Sequence, residues 1–151
     1  MIVFRATSIR HKDKLDGVGA KKSGGRWNRE GLAVNYTSDS KNTVRDELKG
    51  RVDPKYSDYV WVEIEVSDDL PITKITREML AGLPWDMDVY DSDDCPSQKI
   101  GSEILESNEI AILQVPSARS EGDNYLLNPN YPDFDKYVKI VSDDKPFDWE
   151  D

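Results

Sequence analysis

The chain has 151 residues, 37% hydrophobic and 33% charged, and its 20 Lys and Arg against 30 Asp and Glu give a net charge of −10. This is the composition of a polar globular domain with enough chain for a core, expected over residues 1–151. Its acidity argues against general binding to nucleic-acid backbones or anionic lipid. One cysteine, Cys95, and one histidine, His11, exclude an internal disulfide and a zinc site built from several such ligands, and leave chemistry to Arg, Tyr, Ser, Asn and carboxylates.

No stretch is apolar for long enough to cross a bilayer, and the first residues are too short a run for a secretory signal, so a cytoplasmic protein is expected. Residues 1–6 alternate as a strand, and 11–22 are charged and glycine-containing, a loop with a helical turn near 12–15. Gly24 and Gly25 mark a tight turn, and 32–37 is β-favourable. Ser38, Asp39 and Ser40 offer N-caps for a helix running to about Lys49 and closed by Gly50, with Val44 and Leu48 on its inner face and Glu47 at the edge of that face.

The run YVWVEIEV, residues 59–66, alternates with period two and is the clearest strand. A short helix is expected over 76–83, an irregular acidic stretch over 85–94 and a helix over 96–107. Strands follow at 110–115, 125–127 and 137–141, and the acidic tail from about 142 to 151 is expected to be loose in part. Strands and helices mix without a regular βαβ beat, which makes the class α+β.

Several residues have chemistry in reach, each with a plain structural alternative. Arg26 follows two glycines, where backbone can approach a ligand and a guanidinium can pair with phosphate, or it makes a surface ion pair while Trp27 sits in the core. Tyr36 ends a strand just before a helix, placed to stack on a heterocycle or to fill the core. Glu47 could stabilise positive charge growing on a sugar, or be one exposed glutamate among many. Ser117, in QVPSAR, could hydrogen-bond a ligand at a strand end. It lacks a G-x-S-x-G elbow and the usual histidine base. Asn124 and Asn128 flank NYLLNP, and Asn128-Pro129 alone reads as a turn.

Taken in order, GGRWNREGLAVNYTSDS, Glu47 eleven residues past Tyr36, VPSAR and NYLLNPNYPDF resemble the RES-domain family, the toxin half of bacterial RES–Xre toxin–antitoxin pairs. The likeness runs from FRA at 4–6 to the segment around Phe147. The chain departs from the family in closing on PFDWED without an arginine, and in carrying Lys49-Gly50 and Tyr131 near the places of two family histidines.

The resemblance implies a split β-sheet core like that of ADP-ribosyltransferases and a cleft for NAD+, taken as substrate with no cofactor and no metal. It implies that Arg26, Tyr36, Glu47 and Ser117 form the catalytic set, and that Arg26, Trp27, Tyr36, Ser117 and Asn128 bind substrate. The implied activity is cleavage of the nicotinamide–ribose bond by hydrolysis or phosphorolysis. The alternatives are mono-ADP-ribosylation of a protein and a non-catalytic nucleotide-binding module. The implied partners are a cognate Xre-type antitoxin and a second copy of the chain in a homodimer, with no nucleic acid and no membrane.

Overall fold

The computed structural model describes residues 1–49, 58–87, 95–141 and 144–150. Strand β1 (Ile2–Ser8) leads through a 3-10 turn at Ile9–His11 to helix α1 (Val18–Ser23), strand β2 (Asn35–Ser38) and helix α2 (Lys41–Leu48). Strands β3 (Tyr59–Val66) and β4 (Ile72–Lys74) precede a 3-10 turn at Glu78–Leu80. Helix α3 (Pro96–Leu105), strands β5 (Ile112–Pro116) and β6 (Asp123–Leu127), helix α4 (Phe134–Tyr137) and strand β7 (Val138–Ile140) complete the order. The fold is α+β, as the sequence indicates.

The strands form one sheet in the order β4-β5-β6-β2-β1-β3-β7, antiparallel except for the parallel β4–β5 pair. The sheet is split at its middle. β1 pairs with β3 from Ile2 opposite Glu65 to Ser8 opposite Tyr59, whereas it meets β2 only at Phe4 opposite Ser38. Period-two alternation sends neighbouring side chains to opposite faces, and each face has its own core. Ile112 and Leu127 join Val62, Ile64 and Val66 on one side, while Leu113, Val115 and Leu126 join Trp27, Trp85 and Leu105 on the other.

Helix α2 begins where the serines place it. The Ser40 hydroxyl accepts the Thr43 N–H at 3.1 Å, an N-cap bond. Gly50, the expected stop, lies outside the described residues, as do 88–94 of the irregular stretch. Elsewhere the expected elements shift. The chain turns at Leu32, whose N–H bonds the Arg29 carbonyl, so β2 starts only at Asn35. The loop expected over 11–22 contains α1, and the helix expected over 76–83 is a single 3-10 turn.

The tail is the clearest correction. Over residues 144–150 it is bound to the body rather than loose. Pro146 bridges to Val60, the Phe147 N–H bonds the Tyr59 carbonyl, and the Phe147 ring lies 4.9 Å from that of Trp61. Trp61 is on the face of β3 that simple alternation would expose, yet it is 3% exposed because the tail and α2 cover it. The buried Arg45 of α2 bonds the Asp148 carboxylate at 3.0 Å and lies 5.2 Å from the Trp61 ring centre. The Trp61 indole N–H donates to the same carboxylate at 2.8 Å.

The indole donor first, and Arg45 after it, hold the Asp148 carboxyl below its ordinary value of 3.8. A group depressed on folding adds stability above its unfolded pKa and loses it as pH falls through the folded one. Asp148→Asn is therefore expected to flatten the fall of Tm with pH below about pH 4. Thermal unfolding followed by circular dichroism across an acid series checks this, and an unchanged slope would contradict it.

Candidate active site

The gap between β1 and β2 opens into a cavity of about 450 Å³. β1 contributes Arg5, β2 contributes Tyr36, the turn before it contributes Gly25 and Arg26, and α2 contributes Glu47. A second cavity of about 460 Å³ shares Arg5 and Tyr36 and continues past His11, Lys14 and Lys22. In a chain of net charge −10, four basic side chains against two carboxylates, Glu47 and Asp16, around two adjoining cavities are a local exception.

The turn GGRWN is built around the Tyr36 hydroxyl. That hydroxyl accepts the Trp27 N–H at 3.0 Å and donates to Asn28 Oδ1 at 2.6 Å. Asn28, with no exposure, passes its Nδ2 hydrogens to the Ala20 and Leu32 carbonyls, which ties α1 to the turn. Residue 25 must be glycine here, because a Cβ would sit 2.7 Å from the Tyr36 hydroxyl and 2.9 Å from Asn28 Oδ1. Burial pushes the Tyr36 phenol above its ordinary value, against smaller pulls from the Trp27 N–H and Arg26. It is thus a neutral hydroxyl locked into the scaffold, with its side chain lining both cavities.

Arg26 is anchored from behind. Its Nη1 donates to the carbonyls of Trp85 at 2.9 Å and Met87 at 2.5 Å. Helix α3 clasps the backbone around it. Ser97 Oγ donates to the Arg26 carbonyl, Gln98 Nε2 to the Gly25 carbonyl, and the Arg29 N–H bonds Ser102 Oγ.

Glu47 faces the same cavity from α2, with one carboxylate oxygen held. Its Oε1 accepts Ser117 Oγ at 2.5 Å and Asn124 Nδ2 at 2.9 Å. Among the described residues no donor takes Oε2. A carboxylate with one oxygen fixed and the other open can meet a developing cation without first reorganising.

Arg26, Tyr36 and Glu47 thus border one cavity. Ser117 is fully buried and does not line it, but reaches it through Glu47. Trp27 and Asn128, expected to bind substrate, lie away from both cavities. Trp27, 1% exposed, packs 6.1 Å from the Trp85 ring. Asn128, also 1% exposed, bonds the carbonyls of Leu105 and Ile110 where α3 ends. Their polar or aromatic character serves the scaffold.

Other lining residues carry no such signal in the sequence, Asn124 and Arg5 among them. Asn124 reads in the sequence only as flanking a hydrophobic segment. Arg5, in FRA, carries no local signal. Its Nη2 donates to the carbonyls of His11 and Lys14, while its buried Nε has no partner among the described residues. Burial lowers the Arg5 pKa, with Asp16 opposing.

Comparison with known proteins yields one family model, the RES domain, matching residues 2–150. Toxin Res of Photorhabdus laumondii is 32% identical over 145 residues, 93% of this chain and 90% of that protein. The Prs ADP-ribosylating toxin of a Sphingobium species is 34% identical over 128 residues, 80% of this chain and 76% of its own. Among solved structures, the M. tuberculosis MbcT-MbcA toxin-antitoxin complex has a chain of the same fold, with a TM-score of 0.70 at 23% identity, over 93% of this chain and 81% of that one.

Proposed function

This chain belongs to the RES domain family, and from that premise we propose that it is the toxin of a bacterial toxin–antitoxin pair and consumes NAD+ by cleaving the nicotinamide–ribose bond. The observation that carries the reading is Glu47, held on one oxygen by Ser117 and Asn124, in the same cavity as Arg26. As the C1′–N bond breaks, its electron pair leaves with nicotinamide and positive charge grows on the ribose. The open oxygen of Glu47 meets that charge. Nicotinamide is already a good leaving group, so no histidine, metal or serine nucleophile is needed.

In this reading the dinucleotide's diphosphate pairs with Arg26 and with the basic lining of the adjoining cavity, Arg5, Lys14 and Lys22. The Tyr36 ring borders the nicotinamide, and Ser117 acts by holding Glu47. Water or phosphate then takes the ADP-ribosyl cation. A second reading, transfer to a protein, is favoured by the relative named as an ADP-ribosylating toxin. An Xre-type antitoxin covers the cavity in the producing cell, where the protein works in the cytoplasm as a homodimer. Among the described residues no helix is long and apolar enough to cross a membrane.

The test is product analysis after incubating the antitoxin-free protein with NAD+. Nicotinamide must appear. Free ADP-ribose marks hydrolysis, a phosphorylated ADP-ribose formed only with phosphate marks phosphorolysis, and added mass on a protein marks transfer. An antitoxin-free preparation that releases no nicotinamide overturns the proposal.

A further inference from the structure

Glu47 is held by Ser117, and Ser117 is held in turn by its own loop, 117–122. Ser117 Oγ accepts the backbone N–H groups of Arg119 and Ser120, both at 3.1 Å, so its own proton is left for Glu47. The Ser117 N–H closes the loop onto the Gly122 carbonyl at 3.0 Å. The carbonyl side of the loop is gathered by a residue from a different part of the chain. Arg77, just before the 3-10 turn at Glu78–Leu80, donates from Nη2 to the carbonyls of Ser117 and Ser120, both at 2.9 Å.

Arg77 also lies over the Trp85 ring, 5.5 Å from its centre. Trp85 is the residue whose carbonyl anchors Arg26 at 2.9 Å. One guanidinium therefore touches the support of the carboxylate and the support of the cavity arginine, and lines neither cavity. A guanidinium suits this joint, because the two N–H bonds of its Nη2 reach both carbonyls while its flat body stays over the Trp85 ring.

We propose that Arg77 is a positioning residue for the reaction: it holds loop 117–122 so that the Ser117 hydroxyl aims at Glu47 Oε1. This rests on the NAD+-cleaving reading for its kinetic consequences, but not for its structural one. Arg77 is exposed, so its replacement is expected to leave the fold intact while the loop loosens.

Arg77→Met keeps a long stem over Trp85 and removes both donors. Nicotinamide release should fall about tenfold in kcat, with KM changed by less than about twofold, since the loss falls on carboxylate geometry and not on substrate binding. Arg77→Lys, which keeps the charge but carries its ammonium on a shorter stem, should recover only part of the rate. In a Ser117→Ala background Arg77→Met should cost nothing further, because the group it positions is gone. The amides of Arg119 and Ser120 should exchange faster with solvent in Arg77→Met, read by NMR without any substrate.

An equal loss in both backgrounds or a loss in KM alone overturns the proposal, as does unchanged exchange at the two amides. If the parent protein releases no nicotinamide, the functional reading fails and the amide exchange alone decides for or against Arg77. Should Arg77→Met not fold, Arg77→Gln takes its place with the same readouts.

Discussion

Glu47→Gln is expected to slow nicotinamide release from NAD+ by a factor on the order of 10²–10³, the size of losing one preorganised electrostatic contact in a catalytic cavity. The change is close to isosteric. The amide oxygen can still accept from Ser117 and Asn124, which now bond Oε1 at 2.5 and 2.9 Å. What disappears is the negative charge that answers the ribose cation. The loss should fall mainly on kcat, because the positive charge passes from the pyridinium ring to the ribose only as the C1′–N bond breaks. Unfolding free energy should move by about 1–2 kcal/mol, since both bonds survive with a neutral acceptor in place of a charged one. Steady-state kinetics with a urea melt on the same sample separates the two effects. A rate equal to the parent's would remove the carboxylate from the reaction.

The largest expected effect on stability comes from Gly101→Ala, which helix propensity alone would score as a gain of about 1 kcal/mol. The sign reverses because α3 crosses the Gly25–Arg29 backbone too closely for a methyl group. A Cβ at 101 would lie 2.1 Å from the Trp27 carbonyl oxygen and 2.9 Å from its carbon. Neither atom is the free end of a side chain, so the helix must lift. Lifting stretches the bonds from Ser97, Gln98 and Ser102 to that backbone. Overpacking costs about 1–3 kcal/mol and a weakened bond about 1 kcal/mol more, against the propensity gain of about 1 kcal/mol, so a net loss of about 1–3 kcal/mol is expected by urea denaturation. The displaced turn carries Arg26, so KM for NAD+ should rise as well. A variant as stable as the parent would mean the crossing can relax.

The parts of this molecule legible in sequence are those that local physics decides. β3 keeps its expected ends, Tyr59 and Val66, because eight alternating residues state a strand without help. α2 starts after Ser40 because a hydroxyl must meet an N–H there. β4 was invisible: three residues, Ile72–Lys74, become a strand only by lying along β5. The bound tail was invisible too, since its hold depends on Arg45 and Trp61, far away in the chain. In the site, Arg26, Tyr36 and Glu47 stood out by their order in a family pattern. Arg5 and Asn124 did not, because nothing local marks a strand residue as bordering a gap that only the folded sheet creates. Trp27 and Asn128 misled for the converse reason. A large aromatic and a turn asparagine beside motif residues look like ligand contacts until their burial is known.

The lone pairing of Phe4 with Ser38 has a wider consequence. It leaves the candidate site on a seam in the sheet that is closed from behind by an apolar core shared between β1 and β3 on one side and β5 and β6 on the other. That seam is a natural place for an inhibitor to seat, because the backbone there is joined by one β1–β2 pair and the cavity opens between the two strands.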